Sequence, residues 1–159
     1  MKNVLLITLA FVLAACSAAP TEPTTPPTLP PSEGEGREVW DNANVNHYRF
    51  VLDLSCFCAF RDQMPLTIEV NNGEVVSITR ADGQVVQSDD PSYETFVRYA
   101  TIDKILTEIE SAQADPEAGE ILVTYDPTYG YPVDATIDYI ELATDDEMYI
   151  TITNFEVLS

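Results

Sequence analysis

A chain of 159 residues with 7 basic and 27 acidic side chains carries a formal charge of -20. Such a surface repels nucleic-acid phosphates and anionic lipid headgroups alike, which sets aside electrostatic binding of either and leaves basic partners or divalent cations. With one histidine, no G-x-S-x-G and no phosphate-cradling glycine loop followed by Lys, the usual hydrolase and nucleotide sites lack their parts.

The chain opens with Lys2 and an apolar run from Val4 to Leu13, too short to span a bilayer and suited to a secretory signal. It ends in Leu13-Ala14-Ala15-Cys16, which reads as a lipobox: residues 1–15 are a lipoprotein signal peptide, and Cys16 is the lipidated first residue of the mature chain. The competing expectation is an ordinary signal cleaved near Ala18-Ala19, which would discard Cys16. Each buried methylene contributes about 0.8 kcal/mol, so two or three acyl chains hold a protein firmly to a membrane. The mature chain would carry 6 basic against 27 acidic residues, or -21. Residues 16–36 form a tether in which Pro20, Pro23, Pro26, Pro27, Pro30 and Pro31 alternate with threonines. Such a segment favours extended polyproline structure and reaches about 60 Å.

Residues 37–159 make one globular domain. The segment 37–46 predicts a short helix with Trp40 and Ala43 inward. Tyr48, Phe50, Leu52 and Leu54 alternate with Arg49, Val51, Asp53 and Ser55, and Leu66, Ile68 and Val70 with Thr67 and Glu69; both patterns predict strands. Asn71-Asn72-Gly73 and Ala81-Asp82-Gly83 predict two hairpins with three-residue loops closed by a left-handed glycine. The implied register sets Val70 opposite Glu74, Ile68 opposite Val76, Leu66 opposite Ile78, and Arg80 opposite Gln84. The stretch 91–100 follows a Pro break and is ambiguous, a short helix being one option. Thr101 caps a helix with Ile102, Ile105, Leu106, Ile109 and Ala112 at helical spacing, ended by Asp115-Pro116. Strands follow at about 120–125, 132–140 and 147–157. The two halves echo one another in element order. The expected fold is α+β, an antiparallel sheet of six to eight strands with helices on one face. Its plan resembles the tandem helix-and-sheet arrangement of β-lactamase-inhibitor proteins and PepSY-type modules, a likeness of fold that carries no activity.

Cys56-Phe57-Cys58 is the sharpest local motif. In an oxidising envelope compartment the pair favours a structural disulfide, packed thiols being the other structural form. Cα atoms two apart on an extended strand lie about 6.6 Å apart, near the limit for a bridge, so the chain must turn there. A copper(I) or zinc site is the second option and a redox pair the third, although the thioredoxin spacing has two intervening residues rather than one. His47 lies roughly 30 Å from Cys56 along a straight strand, and joins it only if the chain folds back. Tyr125-Asp126-Pro127-Thr128-Tyr129-Gly130-Tyr131-Pro132 joins two strands. Its tyrosines suit either a loop packed on the sheet edge or a binding surface formed by Tyr125, Asp126, Tyr129, Gly130 and Tyr131. The acids Asp89-Asp90 and Asp145-Asp146-Glu147 lack the spacing and glycine of an EF-hand.

Tyr48-Arg49-Phe50, Cys56-x-Cys58, Gly73-Glu74-Val75-Val76, Thr101-Ile102-Asp103, YDPTYGYP and Ile137-Asp138-Tyr139, taken in this order, resemble a bacterial secreted and lipoprotein family catalogued only as a domain of unknown function. The resemblance spans most of 38–157. It implies a single domain behind a signal sequence and no particular activity, cofactor or catalytic residue. The functional expectation is a non-enzymatic, extracytoplasmic binding or envelope-assembly module without a cofactor, anchored to the cell or outer membrane through Cys16, with an envelope protein as the possible partner and its sheet surface or tyrosine loop making the contact. The alternative is a thiol-based metal or redox module built on Cys56 and Cys58.

Overall fold

The computed structural model describes residues 35–159. The expected signal segment 1–15, the expected lipidation site Cys16 and the expected tether as far as residue 34 lie outside the described residues.

Alternation along β1 (His47–Ser55) fixes the core. Tyr48, Phe50, Leu52 and Leu54 are buried, while Arg49 and Asp53 between them are exposed. Burying each such side chain contributes about 1.5–3 kcal/mol relative to leaving it exposed. β1 pairs with β2 (Leu66–Asn71) on one side and with β6 (Met148–Val157) on the other. With β3 (Glu74–Arg80), β4 (Ile121–Tyr125) and β5 (Pro132–Ile137), they form one six-stranded antiparallel sheet in the order β3-β2-β1-β6-β5-β4. This is the expected α+β architecture. Cross-strand partners Phe50 and Ile68, Leu52 and Ile152, and Leu54 and Ile150 all point into a single core.

The helices supply the other half of that core. α1 (Glu35–Ala43) begins two residues before the expected boundary at 37, and buries Gly36 and Trp40. α2 (Tyr93–Arg98) buries Phe96, which settles the ambiguous stretch as a short helix. α3 (Ile102–Gln113) buries Ile102, Ile105, Leu106, Ile109 and Ala112, the row its spacing predicted. The Thr101 hydroxyl accepts the Lys104 N–H as N-cap, 3.2 Å away. The buried Tyr48 hydroxyl accepts the Ile102 N–H at 3.1 Å, which ties the first turn of α3 to β1. Arg37 reaches from α1 to Glu110 and Asp103 on α3.

Two details of register depart from expectation. The first hairpin turns on two residues, not three. Asn71 pairs with Glu74, and Asn72 and Gly73 both take positive φ, 51° and 78°. That is the Asn-Gly form of a tight primed turn. A shift between Glu69 and Val70 then leaves Val76 as the extra residue, 57 % exposed, so Ile68 faces Ile78 rather than Val76 and Leu66 faces Arg80 rather than Ile78. The second hairpin follows the expected three-residue loop, with Arg80 N–H donating to Gln84 O and Val86 N–H to Ile78 O.

The echo between the halves stops at element order. In an alternating sheet ordered β3-β2-β1-β6-β5-β4, β1 and β4 run in opposite directions. A rotation that maps one half on the other while reversing its strands also turns over its buried face. Yet Leu52 and Ile152, one from each half, are paired on the same buried face.

Candidate functional site

The two motif-bearing segments lie at opposite poles of the sheet. β1 starts at His47 beside the C-terminal end of β6 and ends at Ser55, opposite Tyr149 near the start of β6. Nine extended residues separate the poles by about 26 Å.

At the first pole, the Tyr125–Pro132 connection packs on the protein's own helix. Asp126 Oδ1 accepts the N–H groups of Thr128 and Tyr129, and Gly130 N–H donates to Asp126 O. Gly130 takes φ +77°, and a Cβ there would stand 2.3 Å from Gly36 O and 2.7 Å from Trp40 N. A Cβ on Gly36 would in turn meet the Tyr125 ring at 2.3 Å. The two glycines therefore let α1 seat directly on the loop. Tyr125 and Gly130 are buried, while Asp126, Tyr129 and Tyr131 are half-buried.

The rings of Tyr129 and Tyr131 meet Phe155, at centroid separations of 5.4 and 4.3 Å. Phe155 also meets Trp40 and Tyr48. It reaches this cluster through a bulge on β6. Arg49 pairs with Glu156 but Val51 with Thr153, so two residues of β6 oppose one of β1, and Asn154 takes φ 51°. The extra residue switches Phe155 to the core face. Burial pushes the Tyr48 and Tyr131 hydroxyls above the ordinary tyrosine range.

At the second pole, the chain turns after Ser55 and Cys56 and Cys58 form a disulfide, with Cα atoms 5.2 Å apart. This is the contraction the motif required. Both cysteines are half-buried, and Phe57 between them is 86 % exposed. The pair borders surface clefts. One of about 480 Å³ is lined by Cys56, Phe57, Cys58, Arg61 and Asp62. Another, of about 240 Å³, includes Cys56, Phe57, Arg61, Asp145, Glu147 and Tyr149. A third, of about 590 Å³, runs from Cys58 past Phe60, Arg98, Tyr99 and Tyr139. At its edge the Tyr139 hydroxyl donates to Glu108 Oε1 at 2.7 Å, and Arg98 pairs with the same carboxylate. Burial, then hydrogen bonds with Tyr99 and Glu108, push the Tyr139 hydroxyl up.

His47 sits at the tyrosine pole, 3.0 Å from Glu69 Oε1, and so does not meet the cysteines. Among the described residues no group of three or more His, Cys, Asp or Glu could hold a metal ion, and no helix is long and apolar enough to cross a membrane. Arg61 was not singled out from sequence; its signal was that it follows the C-x-C motif in a chain with few cations. Asp90, in one of the acidic pairs, accepts the Ser92 N–H and pairs with Arg80; these hold its carboxyl below the usual range, the hydrogen bond from Ser92 first.

Among the described residues, no layer covers the face of the sheet away from the helices. Across it run Thr67, Thr79, Thr124, Thr136, Thr151 and Thr153, with Asp53, Asp134 and Tyr149 among them, all exposed or half-buried. Thr151 donates to Asp134 at 3.0 Å.

No curated protein and no solved structure matches the chain. A family model, described as a family of unknown function (DUF6174), matches residues 34–157, all of β1 to β6 with α1 to α3. The chain belongs to this family, whose span takes in both the C-x-C turn and the tyrosine loop.

Proposed function

We propose that this protein is a membrane-anchored, extracytoplasmic binding module whose uncovered sheet face meets a cationic protein surface in the cell envelope. The observation that carries this reading is the lipobox Leu13-Ala14-Ala15-Cys16 followed by a proline-rich spacer. The fold adds two supports. The chain enters the domain at the tyrosine pole through α1, so a tether there leaves the sheet face and the cysteine pole free. Of the two surfaces the sequence suggests, the sheet and the tyrosine loop, this favours the sheet, because the tyrosines are spent on seating α1. A charge of -20 selects a basic partner and speeds its approach at low salt.

The test is fractionation of the native host combined with a photo-crosslinking residue at Thr153. Expected are acylated protein in the membrane fraction, its release by Cys16→Ser, and a salt-sensitive crosslink to a basic protein. Soluble protein with a first residue beyond position 16 and no acyl group would overturn the anchor. A crosslink yield from Thr153 no higher than from Asn72 would overturn the binding face.

A further inference from the structure

We infer that Cys56 and Cys58 form a reversible dithiol–disulfide site that exchanges with a thiol pair on a partner protein. Three observations converge on it. The bridge joins residues two apart, so it restrains the unfolded chain far less than a long-range bridge, and it ties no distant elements together. It is accessible: the cysteines are half-buried and border surface clefts, and Phe57 projects an apolar ring between them. Its surroundings hold the one basic side chain, among the described residues, that has no ion pair or hydrogen bond. Among the described residues Arg37, Arg49, Arg80 and Arg98 are each paired with a carboxylate, and the Lys104 ammonium donates to Val97 O. The Arg61 guanidinium has no ion pair or hydrogen bond there, and it lines both clefts that Cys56 borders.

In a chain this acidic, an uncommitted cation in the cleft that the cysteines line stabilises a departing thiolate there. Asp62, Asp145 and Glu147 face the same clefts, and they select against an anionic thiol and for a neutral or cationic one. The exchange runs in two steps. A partner thiolate attacks Cys56 Sγ, the bond to Cys58 Sγ breaks, and Cys58 leaves as a thiolate in the cleft that Arg61 also lines. The partner's second thiolate then attacks the mixed disulfide and releases Cys56. Two electrons pass to the cysteine pair, the two protons lost by the partner's thiols end on Cys56 and Cys58, and the partner departs with a new disulfide. Run backwards, a partner disulfide reoxidises the pair.

The experiment uses the full chain carrying Cys16→Ser, so that sulfurs 56 and 58 alone exchange, with dithiothreitol as the neutral dithiol probe. The reduction rate is measured for the native protein and for the same protein unfolded in urea. The native rate is expected to equal or exceed the unfolded rate. Arg61→Gln should slow it at least about threefold in the native state only, and Arg61→Lys should restore it. The reduced protein should keep a cooperative melt. A native rate tenfold below the unfolded one, indifference to Arg61→Gln, or loss of the melt on reduction would each overturn the site. The assay needs no membrane, so its failure is separable from failure of the anchor.

Discussion

At the tyrosine pole the rings of Tyr125, Tyr129 and Tyr131 turn inward on α1 and Phe155; at the cysteine pole Phe57 turns outward, and the loop between β5 and β6 adds Leu142, 92 % exposed. Both segments are rich in aromatic, glycine or cysteine residues. The difference teaches that composition alone does not separate a folding device from an exposed site. What separates them is whether another element of the same chain covers the rings. α1 covers the rings of the first pole, whereas among the described residues Phe57 and Leu142 at the second stay 86 % and 92 % exposed.

The comparison breaks first at Gly130. Gly130→Ala would place a Cβ 2.3 Å from Gly36 O in a backbone of φ +77°. Left-handed backbone costs a non-glycine residue roughly 1–2 kcal/mol, and overpacking adds about 1–3. We expect a loss of about 2–5 kcal/mol in urea unfolding. A loss under about 0.5 kcal/mol would mean that α1 does not sit on the loop. Phe155→Ala comes next, at about 2–3 kcal/mol, because Phe155 is the half-buried ring that four other aromatics share. A loss no larger than that of an exposed residue would remove the aromatic cluster from the account.

Much of this pole was legible. Period-two alternation located the strands, and helical spacing found the inward row of α3, because in both elements one face is buried and the other solvated. The bulge at Asn154 was not legible. Simple alternation from Ile150 and Ile152 would have put Asn154, not Phe155, on the core face, and one residue in left-handed conformation reverses that order. The Asn72-Gly73 turn was misread for the same reason. Asparagine tolerates positive φ, so the dipeptide closes a two-residue turn without help from Asn71. The disulfide was legible as a favoured option from the spacing and the inferred compartment. That Arg61 has no ion pair among the described residues was not, since ion pairing depends on carboxylates brought together by the fold.

Alkaline pH sharpens the comparison by acting mainly on buried hydroxyls. The folded protein holds the Tyr48 and Tyr131 hydroxyls at the tyrosine pole, and Tyr99 and Tyr139 beyond α2, above the ordinary tyrosine value, burial being the largest cause in each. A raised folded pKa means that the unfolded chain releases its proton first. Stability is therefore intact below the unfolded value of about 10 and falls as pH rises above it. Urea midpoints at pH 9 and 11 should show this fall. Tyr48→Phe should reduce the slope, at a cost near neutrality of about 1–2 kcal/mol for the lost partner of the buried Ile102 N–H. An unchanged slope in Tyr48→Phe would assign the alkaline loss to other groups.

The smallest expected effect is at the cysteine pole. Phe57 is 86 % exposed, so truncation uncovers little that folding had buried. Surface substitutions of this kind stay within about 0.5 kcal/mol. We expect Phe57→Ala to leave the urea midpoint in place, whereas Phe155→Ala moves it far. That contrast is the sharpest single test of the two poles, because the residue types and the truncation are identical and only the covering differs. A loss above about 1 kcal/mol at Phe57 would make its ring a contributor to folding. It would also remove the apolar contact offered to an exchanging partner.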